Sequence, residues 1–207
     1  MICELTKTWW LLTLCGVLDA MQAAMNLLML NPDGSWNLRR FGLPNAVWEM
    51  SMLALAAGAC AIAAGVWSSG RNHSWLLSLH GLALGSFGAI GLSPLVRGPL
   101  SFRPVSLLFV VMAASLGAFA LGTVRSGAAE RWILSLAGAV SIGFALSFVA
   151  VGFAWVSLGP PQFFWIWMSS YFGFCAIFML WLAQRVRSQD LSQSGLREVL
   201  RPIGHAH

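Results

Sequence analysis

The chain has 207 residues, of which 58% are hydrophobic and only 9% are charged, and its formal net charge is +5. Soluble domains carry about 25% charged residues, so this composition excludes a soluble globular domain and indicates an integral membrane protein. The basic residues lie in short loops beside apolar segments, so we interpret them as topology signals and expect no nucleic-acid partner.

Six apolar segments are long enough to cross about 30 Å of hydrocarbon at about 1.5 Å per residue. They lack alternation of polar and apolar residues, and hydrocarbon cannot satisfy free backbone groups, so helices are predicted rather than strands. The predicted spans are Trp9–Leu30, Val47–Trp67, Trp75–Leu95, Val105–Val124, Trp132–Leu158 and Phe163–Ala183. The sequence therefore predicts an all-α polytopic membrane protein with six transmembrane helices in a single domain, residues 1–207.

A short motif opens the first, third and fifth spans. Its copies are Trp10–Gly16 (WLLTLCG), Trp75–Gly81 (WLLSLHG) and Trp132–Gly138 (WILSLAG). The returning spans share a second motif at Gly58–Ile62 (GACAI), Gly117–Leu121 (GAFAL) and Gly173–Ile177 (GFCAI). These copies predict three repeated helical hairpins, residues 9–68, 75–125 and 132–185, followed by a cytoplasmic tail, residues 186–207.

The breaks between spans alternate in kind. Proline follows the first, third and fifth spans, at Asn31-Pro32, Ser93-Pro94 and Gly159-Pro160-Pro161, and proline ends a helix because it lacks a backbone donor. Short turns rich in Ser, Gly and Arg follow the second and fourth spans. Each predicted hairpin therefore turns at a proline.

Lys and Arg are unequally divided between the two sides of the predicted bundle. The side with both termini and the short turns carries Lys7, Arg71, Arg125, Arg131, Arg185, Arg187, Arg197 and Arg201, and the other side carries Arg39, Arg40, Arg97 and Arg103. Because cytoplasmic loops are enriched in Lys and Arg, both termini are predicted to be cytoplasmic. Trp10, Trp75 and Trp132 are then predicted interfacial anchors at the cytoplasmic boundary.

Small residues recur at helical spacing in two neighbouring spans. The predicted helix-packing glycines are Gly58 and Gly65 in the second span and Gly81, Gly85 and Gly88 in the third. Such stripes let helix backbones approach closely in lipid. Two interpretations are open: packing among the six helices of one chain, or an interface with another copy, a lipid or a pigment.

Asp19 is the residue that says most about function. It lies about 13 Å along the first span, close to the bilayer midplane, where an unpaired charge costs about 3 kcal/mol. Gln22 and Asn26 follow on the same helix face, whereas the repeat equivalents of Asp19 are Leu84 and Ser141. This polar stripe belongs to the first repeat alone. It is either a proton or ligand site or a structural contact that holds the first helix to a neighbour.

His80 is a further candidate, about 7 Å inside the cytoplasmic boundary. Its equivalents in the other repeats are Cys15 and Ala137, so the histidine is not repeated. It is either a pH sensor, a partner of Asp19, or a packing residue. Together with the polar stripe it forms the candidate intramembrane polar site.

The sequence carries no signature of an enzyme or of a metal centre. It lacks the nucleophile elbow, the phosphate-binding loop, the dinucleotide glycine turn and the zinc-protease helix motif. Cys15, Cys60 and Cys175 lie within apolar spans without metal-ligand spacing, so we interpret them as packing residues. We expect no catalytic residue, no metal and no cofactor.

The tail carries apolar residues spaced among charged ones between Gln189 and Arg201. This pattern is compatible with a short amphipathic helix on an anionic leaflet or with a disordered segment.

Three hairpins that each open on Trp-Leu/Ile-Leu-Ser/Thr-Leu-x-Gly and turn at a proline, in a chain of 22.4 kDa, resemble the HdeD-like family of bacterial short-repeat membrane proteins. The resemblance covers most of Trp9 to Ala183. It implies a six-span protein of the bacterial inner membrane with a role in acid or stress tolerance. It supplies no catalytic residues, and the Asp19 stripe and the Arg39-Arg40 loop depart from a regular repeat.

Three functions are compatible with these observations. The first is a non-enzymatic HdeD-like protein of membrane or proton homeostasis. The second is an accessory subunit that packs on a larger membrane complex or on its lipids or pigments. The third is a small proton-linked channel or transporter, which depends on Asp19, Gln22 and Asn26. The expected partners are the lipid bilayer and either further copies of the chain or a larger membrane complex.

Overall fold

The six predicted spans are helices. A computed structural model of the chain describes residues 8–28, 43–68, 73–92, 102–125, 130–152 and 161–199, and the regular elements within them are all α-helices. They are α1 (Trp9–Leu28), α2 (Leu43–Trp67), α3 (Trp75–Leu92), α4 (Phe102–Arg125), α5 (Arg131–Gly152) and α6 (Pro161–Val199). Each contains a stretch long and apolar enough to cross a membrane. The chain is therefore a multi-pass, all-α membrane protein, as predicted.

Helix α6 differs most from its predicted span. The span was predicted to end at Ala183, but the helix continues to Val199, so the start of the tail extends α6 instead of forming a separate element. No Gly or Pro lies between Ala183 and Ser194 to end the helix. The 39 residues of α6 reach about 58 Å, roughly twice the hydrocarbon thickness. The predicted proline turns at 31–32, 93–94 and 159–160 lie outside the described residues.

Local sequence explains where several helices begin. The returning helices α2, α4 and α6 each carry a proline in the first turn, Pro44, Pro104 and Pro161, where the missing donor is not needed. Before α3, the Ser74 hydroxyl donates to the Ser68 carbonyl oxygen at 2.8 Å and so joins the end of α2 to the start of α3. This hydrogen bond fixes the end of α2 relative to the start of α3.

The helices form a closed bundle. Three pairs pack most closely, α2 with α3, α4 with α5, and α1 with α6, whereas α1 and α2, and α3 and α4, are in looser contact. Helices α5 and α6 meet through aromatic side chains, with ring centroids 6.3 Å apart for Phe144 and Trp167 and 5.4 Å apart for Phe148 and Tyr171. Going around the bundle, each helix is next to its neighbour in the order α5, α4, α3, α2, α1, α6. Aromatic packing between α6 and α5 completes the circle.

The glycine of each opening motif lies in one of the three closest helix pairs. A methyl group added to Gly81 would lie 2.5 Å from the carbonyl oxygen of Gly58, one added to Gly138 would lie 3.4 Å from that of Gly117, and one added to Gly16 would lie 3.1 Å from that of Ala176. The sequence motif matches Gly173 to Gly58 and Gly117, but a methyl group on Gly173 would meet nothing within 4 Å. In the α1–α6 pair, therefore, the residue that faces the motif glycine is Ala176, three residues after the Gly173 that the sequence motif predicted for this position.

The three helices that open with the motif also bury the same face. Counted from the motif tryptophan, the residues at positions +2, +5, +6, +9 and +13 are buried in α1, α3 and α5 alike. Position +9 is occupied by Asp19, Leu84 and Ser141, each 1% exposed or less. Equivalent side chains therefore face the interior, while the division of the chain into three hairpin repeats stays a prediction.

Candidate functional site

The four predicted polar residues all lie in the interior of the bundle. Asp19, Gln22, Asn26 and His80 are each 1% exposed. The first three share the inner face of α1, and His80 lies on α3. Polar side chains within a membrane span face the protein interior because lipid cannot satisfy them. The stripe on α1 therefore has the orientation that an intramembrane site requires.

Asp19 has uncharged neighbours. The Cys15 thiol, one helical turn earlier, donates to Oδ2 of Asp19 at 3.7 Å. The thiols of Cys60 on α2 and Cys175 on α6, and the Tyr171 hydroxyl on α6, are within electrostatic range of the same carboxyl group. Within the described part of the chain, no Lys, Arg or His forms an ion pair with Asp19. An ionised carboxylate in such surroundings is costly.

Gln22 and Asn26 form a pair one turn apart. The Gln22 amide nitrogen donates to the Asn26 side-chain oxygen at 3.5 Å, the long limit of a hydrogen bond. The Gln22 amide oxygen is buried and has no hydrogen-bond partner. The stripe therefore presents an unused acceptor one turn from the Asp19 carboxyl group.

The structure brings His80 to α4 and not to Asp19. Its Nδ1 lies 3.0 Å from the Met112 carbonyl oxygen, and because a carbonyl only accepts, Nδ1 is the donor in this contact. Its Nε2 is buried without a partner. No hydrogen bond or ion pair joins His80 and Asp19 in the residues that the structure describes. A backbone carbonyl, and not Asp19, is thus the hydrogen-bond partner of His80, so of the three interpretations the pairing with Asp19 is not the one observed.

Tyr171 is a site residue that the sequence analysis missed. It is the only tyrosine of the chain, and it is fully buried. Its hydroxyl lies close to the Cys175 thiol on the same helix, but no group meets hydrogen-bond geometry with it. Its ring lies 6.1 Å from that of Phe109 on α4, and 5.2 and 5.4 Å from those of Phe144 and Phe148 on α5. A lone tyrosine within an apolar span was the available signal, because a buried hydroxyl normally has a partner.

Two serines add further unpaired hydroxyls to the interior. Ser141 on α5 and Ser169 on α6 are buried, and neither Oγ has a hydrogen-bond partner. Ser141 is at the position in α5 that Asp19 has in α1. A polar group therefore occupies the inner +9 position in two of the three motif helices.

The packing glycines mostly face one another inside the chain. Methyl groups added at Gly58, Gly65, Gly81 or Gly88 would collide with the backbone of the facing helix, α2 or α3. Gly85 differs, because a methyl group there would meet only the Leu55 side chain, at 4.0 Å. Four of the five glycines thus join α2 to α3, which fits the interpretation of packing within one chain.

The end of the bundle where α1, α3 and α5 begin carries exposed tryptophans and two charged contacts. Trp10, Trp75 and Trp132 are 49, 58 and 71% exposed and point away from the core. An Arg185 guanidinium nitrogen lies 2.5 Å from the Glu130 carboxylate just before α5, and the Arg187 guanidinium lies 4.9 Å above the Trp9 ring. These contacts hold α6 against the starts of α5 and α1.

No three His, Cys, Asp or Glu side chains in the described ranges are arranged to hold a metal ion. Comparison with known proteins adds no assignment: no family model, curated protein or solved structure matches the chain. The functional proposal therefore depends on the geometry of the interior, and the HdeD-like resemblance stays a prediction from the sequence motifs.

Proposed function

We propose that this chain is a non-enzymatic membrane protein in which Asp19 binds and releases a proton within the bilayer. The role that this protonation serves is acid or stress tolerance, as the HdeD-like resemblance implies. One observation carries the proposal: Asp19 is 1% exposed near mid-span, and within the described ranges no cation pairs with it. Charging such a group costs about 3 kcal/mol, so gain or loss of a proton alters the energetics of the bundle.

The position of Asp19 explains how protonation would affect the fold. Its carboxyl group lies among groups from α1, α2 and α6, namely Cys15, Cys60, Cys175 and Tyr171. Helix α1 packs closely against α6 and more loosely against α2. A new charge at this point acts on both contacts, so the looser α1–α2 contact is the one that we expect to respond.

Infrared difference spectroscopy on the protein in lipid tests the proposal directly. Among the acidic side chains whose exposure the structure describes, Asp19 is buried, Glu49 is exposed and Glu130 is partly exposed. A change of buffer from acidic to alkaline should therefore alter one carboxylic acid C=O band, and Asp19→Asn should remove that band. Thr13→Val is the matched control, because the Thr13 hydroxyl bonds only within α1, to the Trp9 carbonyl at 2.9 Å. A spectrum unchanged by Asp19→Asn contradicts the proposal.

Acid survival of bacteria that express the protein tests the physiological role. Asp19→Asn should lose the protection given by the wild type, Asp19→Glu should keep part of it, and Thr13→Val should keep all of it. Full protection by Asp19→Asn would contradict a role in acid tolerance even if the infrared band behaves as expected.

We also propose a bacterial inner-membrane location with both termini in the cytoplasm. The excess of Lys and Arg on the side of the short turns supports this orientation, and so do the exposed Trp10, Trp75 and Trp132 at the same end. Topology reporters at Asn37 and Gly195 should lie on opposite sides of the membrane. Reporters on the same side contradict the orientation.

A further inference from the structure

Buried polar atoms without a partner occur on four different helices. In the interior they are the Gln22 amide oxygen on α1, His80 Nε2 on α3, Ser141 Oγ on α5, and Ser169 Oγ and the Tyr171 hydroxyl on α6. Arg185 Nε also has no partner, but it lies at the end of the bundle, where the same guanidinium group pairs with Glu130. At least about 90% of buried polar groups in proteins have a partner, either protein or ordered water. Several unpaired atoms in one interior therefore indicate bound molecules that form hydrogen bonds with them.

These atoms occur at successive depths. Measured along the helices from the level of the motif tryptophans, His80 lies about 7 Å deep, Asp19 and Ser141 about 13 Å, and Gln22 about 18 Å. Helix α6 runs in the opposite direction, and Ala176 lies against Gly16, at a depth of about 9 Å. Tyr171 is then about 17 Å deep and Ser169 about 20 Å. Successive depths differ by about 6 Å or less, so along the bundle axis no step exceeds the interval that one bridging water covers with two hydrogen bonds.

Tyr171 on α6 links polar residues of α5 and α1 across the bundle. Its ring contacts Phe144 and Phe148 of α5, which lie three and seven residues after Ser141 and so on the same helix face. Its hydroxyl is within electrostatic range of Asp19 on α1. The partnerless Ser141 hydroxyl, the Asp19 carboxyl group and the Tyr171 hydroxyl therefore belong to one region of the interior.

His80 joins this region through α4. Its ring donates to the Met112 carbonyl, and Met112 lies three residues after Phe109, whose ring contacts Tyr171 at 6.1 Å. His80 and Tyr171 thus contact neighbouring turns of the same helix. Among the buried atoms without a partner, His80 Nε2 is the one closest to the level of the motif tryptophans.

The chemistry of the set identifies the ligand. It contains acceptors on Gln22 and His80, hydroxyls that both donate and accept on Ser141, Ser169 and Tyr171, and no cation. A small neutral molecule that donates and accepts satisfies all of these atoms, and a buried water forms two to four such bonds, about three on average. We propose that the interior around Tyr171 is a water-binding chamber that bridges Asp19, Gln22, Ser141 and Tyr171 and extends towards His80 and Ser169.

The chamber adds a proton route to the proposed function, since its waters would carry the Asp19 proton. This role of the waters rests on the proposed function, because it requires that Asp19 exchange a proton. The carboxyl O–H gives its proton to an adjacent water, which becomes hydronium and passes the excess proton along the waters to the aqueous phase. The carboxylate later takes a proton from a hydronium that the same waters deliver. No other reactant is needed for this exchange.

X-ray radiolytic footprinting of the intact wild-type protein in lipid nanodiscs tests the chamber. Hydroxyl radicals that form from bound water modify the side chains beside it, so Tyr171 should be modified despite its burial. Phe109, which is also buried, is the internal reference. We expect Tyr171 to be modified about tenfold faster than Phe109, as suits a ring beside a buried water rather than in dry packing. A ratio no larger than that of free tyrosine to free phenylalanine overturns the proposal, and any larger ratio supports it.

Serine variants locate the waters. Ser141→Ala and Ser169→Ala should each lower the modification of Tyr171 about twofold, because each removes one hydrogen-bonding partner of the waters. Ser147→Ala and Ser170→Ala are the matched controls, since those hydroxyls already bond to the Phe144 and Ile166 carbonyls, at 2.7 and 2.8 Å. The chamber is contradicted if the control variants lower the modification as much as the test variants do.

Failure of the chamber and failure of the proton function give different results. Asp19→Asn keeps a side chain that bonds to water, so modification of Tyr171 should persist in this variant while the carboxylic acid band is lost. Modification without a pH-dependent band overturns only the proton function. A pH-dependent band without modification overturns only the chamber.

Discussion

Gly81 of α3 lies directly against the backbone of Gly58 of α2, with only 2.5 Å between the Gly58 carbonyl oxygen and a methyl group added to Gly81. The same methyl group would lie 2.6 Å from the Ile62 backbone nitrogen. Backbone atoms of a helix cannot move away as the end of a side chain can. The α2–α3 contact therefore requires the absence of a Cβ at this position.

Gly81→Ala should lower the free energy of unfolding by about 1–3 kcal/mol, because the methyl group forces α2 and α3 apart. Gly173→Ala is the control, since a methyl group there meets nothing within 4 Å. Alanine favours a helix over glycine by roughly 0.5–1 kcal/mol, so the control should be as stable as the wild type or slightly more stable. Equilibrium unfolding in mixed micelles measures both, and similar losses in the two variants would contradict the packing.

The α1–α6 contact should respond differently, because a side chain faces the glycine. A methyl group on Gly16 would lie 2.8 Å from Cγ of Leu180, so Gly16→Ala should destabilise the bundle less than Gly81→Ala does. Leu180→Ala should remove the closest contact and leave the Ala176 carbonyl oxygen at 3.1 Å, giving a favourable coupling of about 1 kcal/mol in a double-mutant cycle. Additive losses would show that α1 and α6 do not meet at this point.

The ion pair between Arg185 and Glu130 should contribute little at high salt. Both side chains are partly exposed, at 35 and 25%, and exposed pairs typically contribute about 0–1 kcal/mol. Glu130→Gln should therefore cost less than about 1 kcal/mol at low salt and less again at high salt. It should cost nothing further in an Arg185→Gln background. A larger effect that salt does not change would indicate another role for Glu130.

His73 has a left-handed backbone conformation, with φ of 60°, just before α3. Its ring lies against Gly122 of α4, where an added methyl group would be 2.6 Å from Cδ2 of His73. His73→Ala and His73→Gly both remove the ring, but only alanine keeps the steric cost of this conformation. His73→Gly should therefore unfold with a free energy about 1 kcal/mol higher than His73→Ala. Equal stability of the two variants would contradict the strained turn.

Replacing Asp19 by the residue found at the equivalent position of α3 should stabilise the fold and abolish the proposed function. Asp19→Leu removes a buried polar group and copies Leu84, so unfolding should require about 2 kcal/mol more. The reciprocal Leu84→Asp should destabilise by a similar amount. Unfolding free energies measured beside acid survival test both effects, and a destabilised Asp19→Leu would indicate that Asp19 is a structural contact.

The sequence predicted the features that depend on the membrane itself. Hydrocarbon thickness sets the span length, so all six spans were found, and the apolar stretch Val105–Val124 agrees at both ends. The cost of a polar group in lipid also required Asp19, Gln22 and Asn26 to face inwards, and they do. These predictions needed no knowledge of which helices are neighbours.

The features that depend on long-range packing were not predictable in the same way. Nothing in α1 indicates that its closest neighbour is α6. The partner of His80 is the backbone carbonyl of Met112, which no side-chain pattern marks. Tyr171 became a site residue only when α4 and α5 placed aromatic rings around it. The sequence around Gly173 resembles the motifs at Gly58 and Gly117, but the residue of α6 that contacts Gly16 of α1 is Ala176, three residues later.

The pairing of α1 with α6 bears on how the protein is made. These are the first and last described helices, and at ribosomal rates the chain between them takes on the order of 10 s to synthesise. During that interval α1 is in the membrane with Asp19, Gln22 and Asn26. The Cys175 and Tyr171 side chains, which later lie near Asp19, have not yet been synthesised. The α1–α6 contact can therefore form only after α6 has been synthesised, and until then the carboxyl group of Asp19 lacks these two partners.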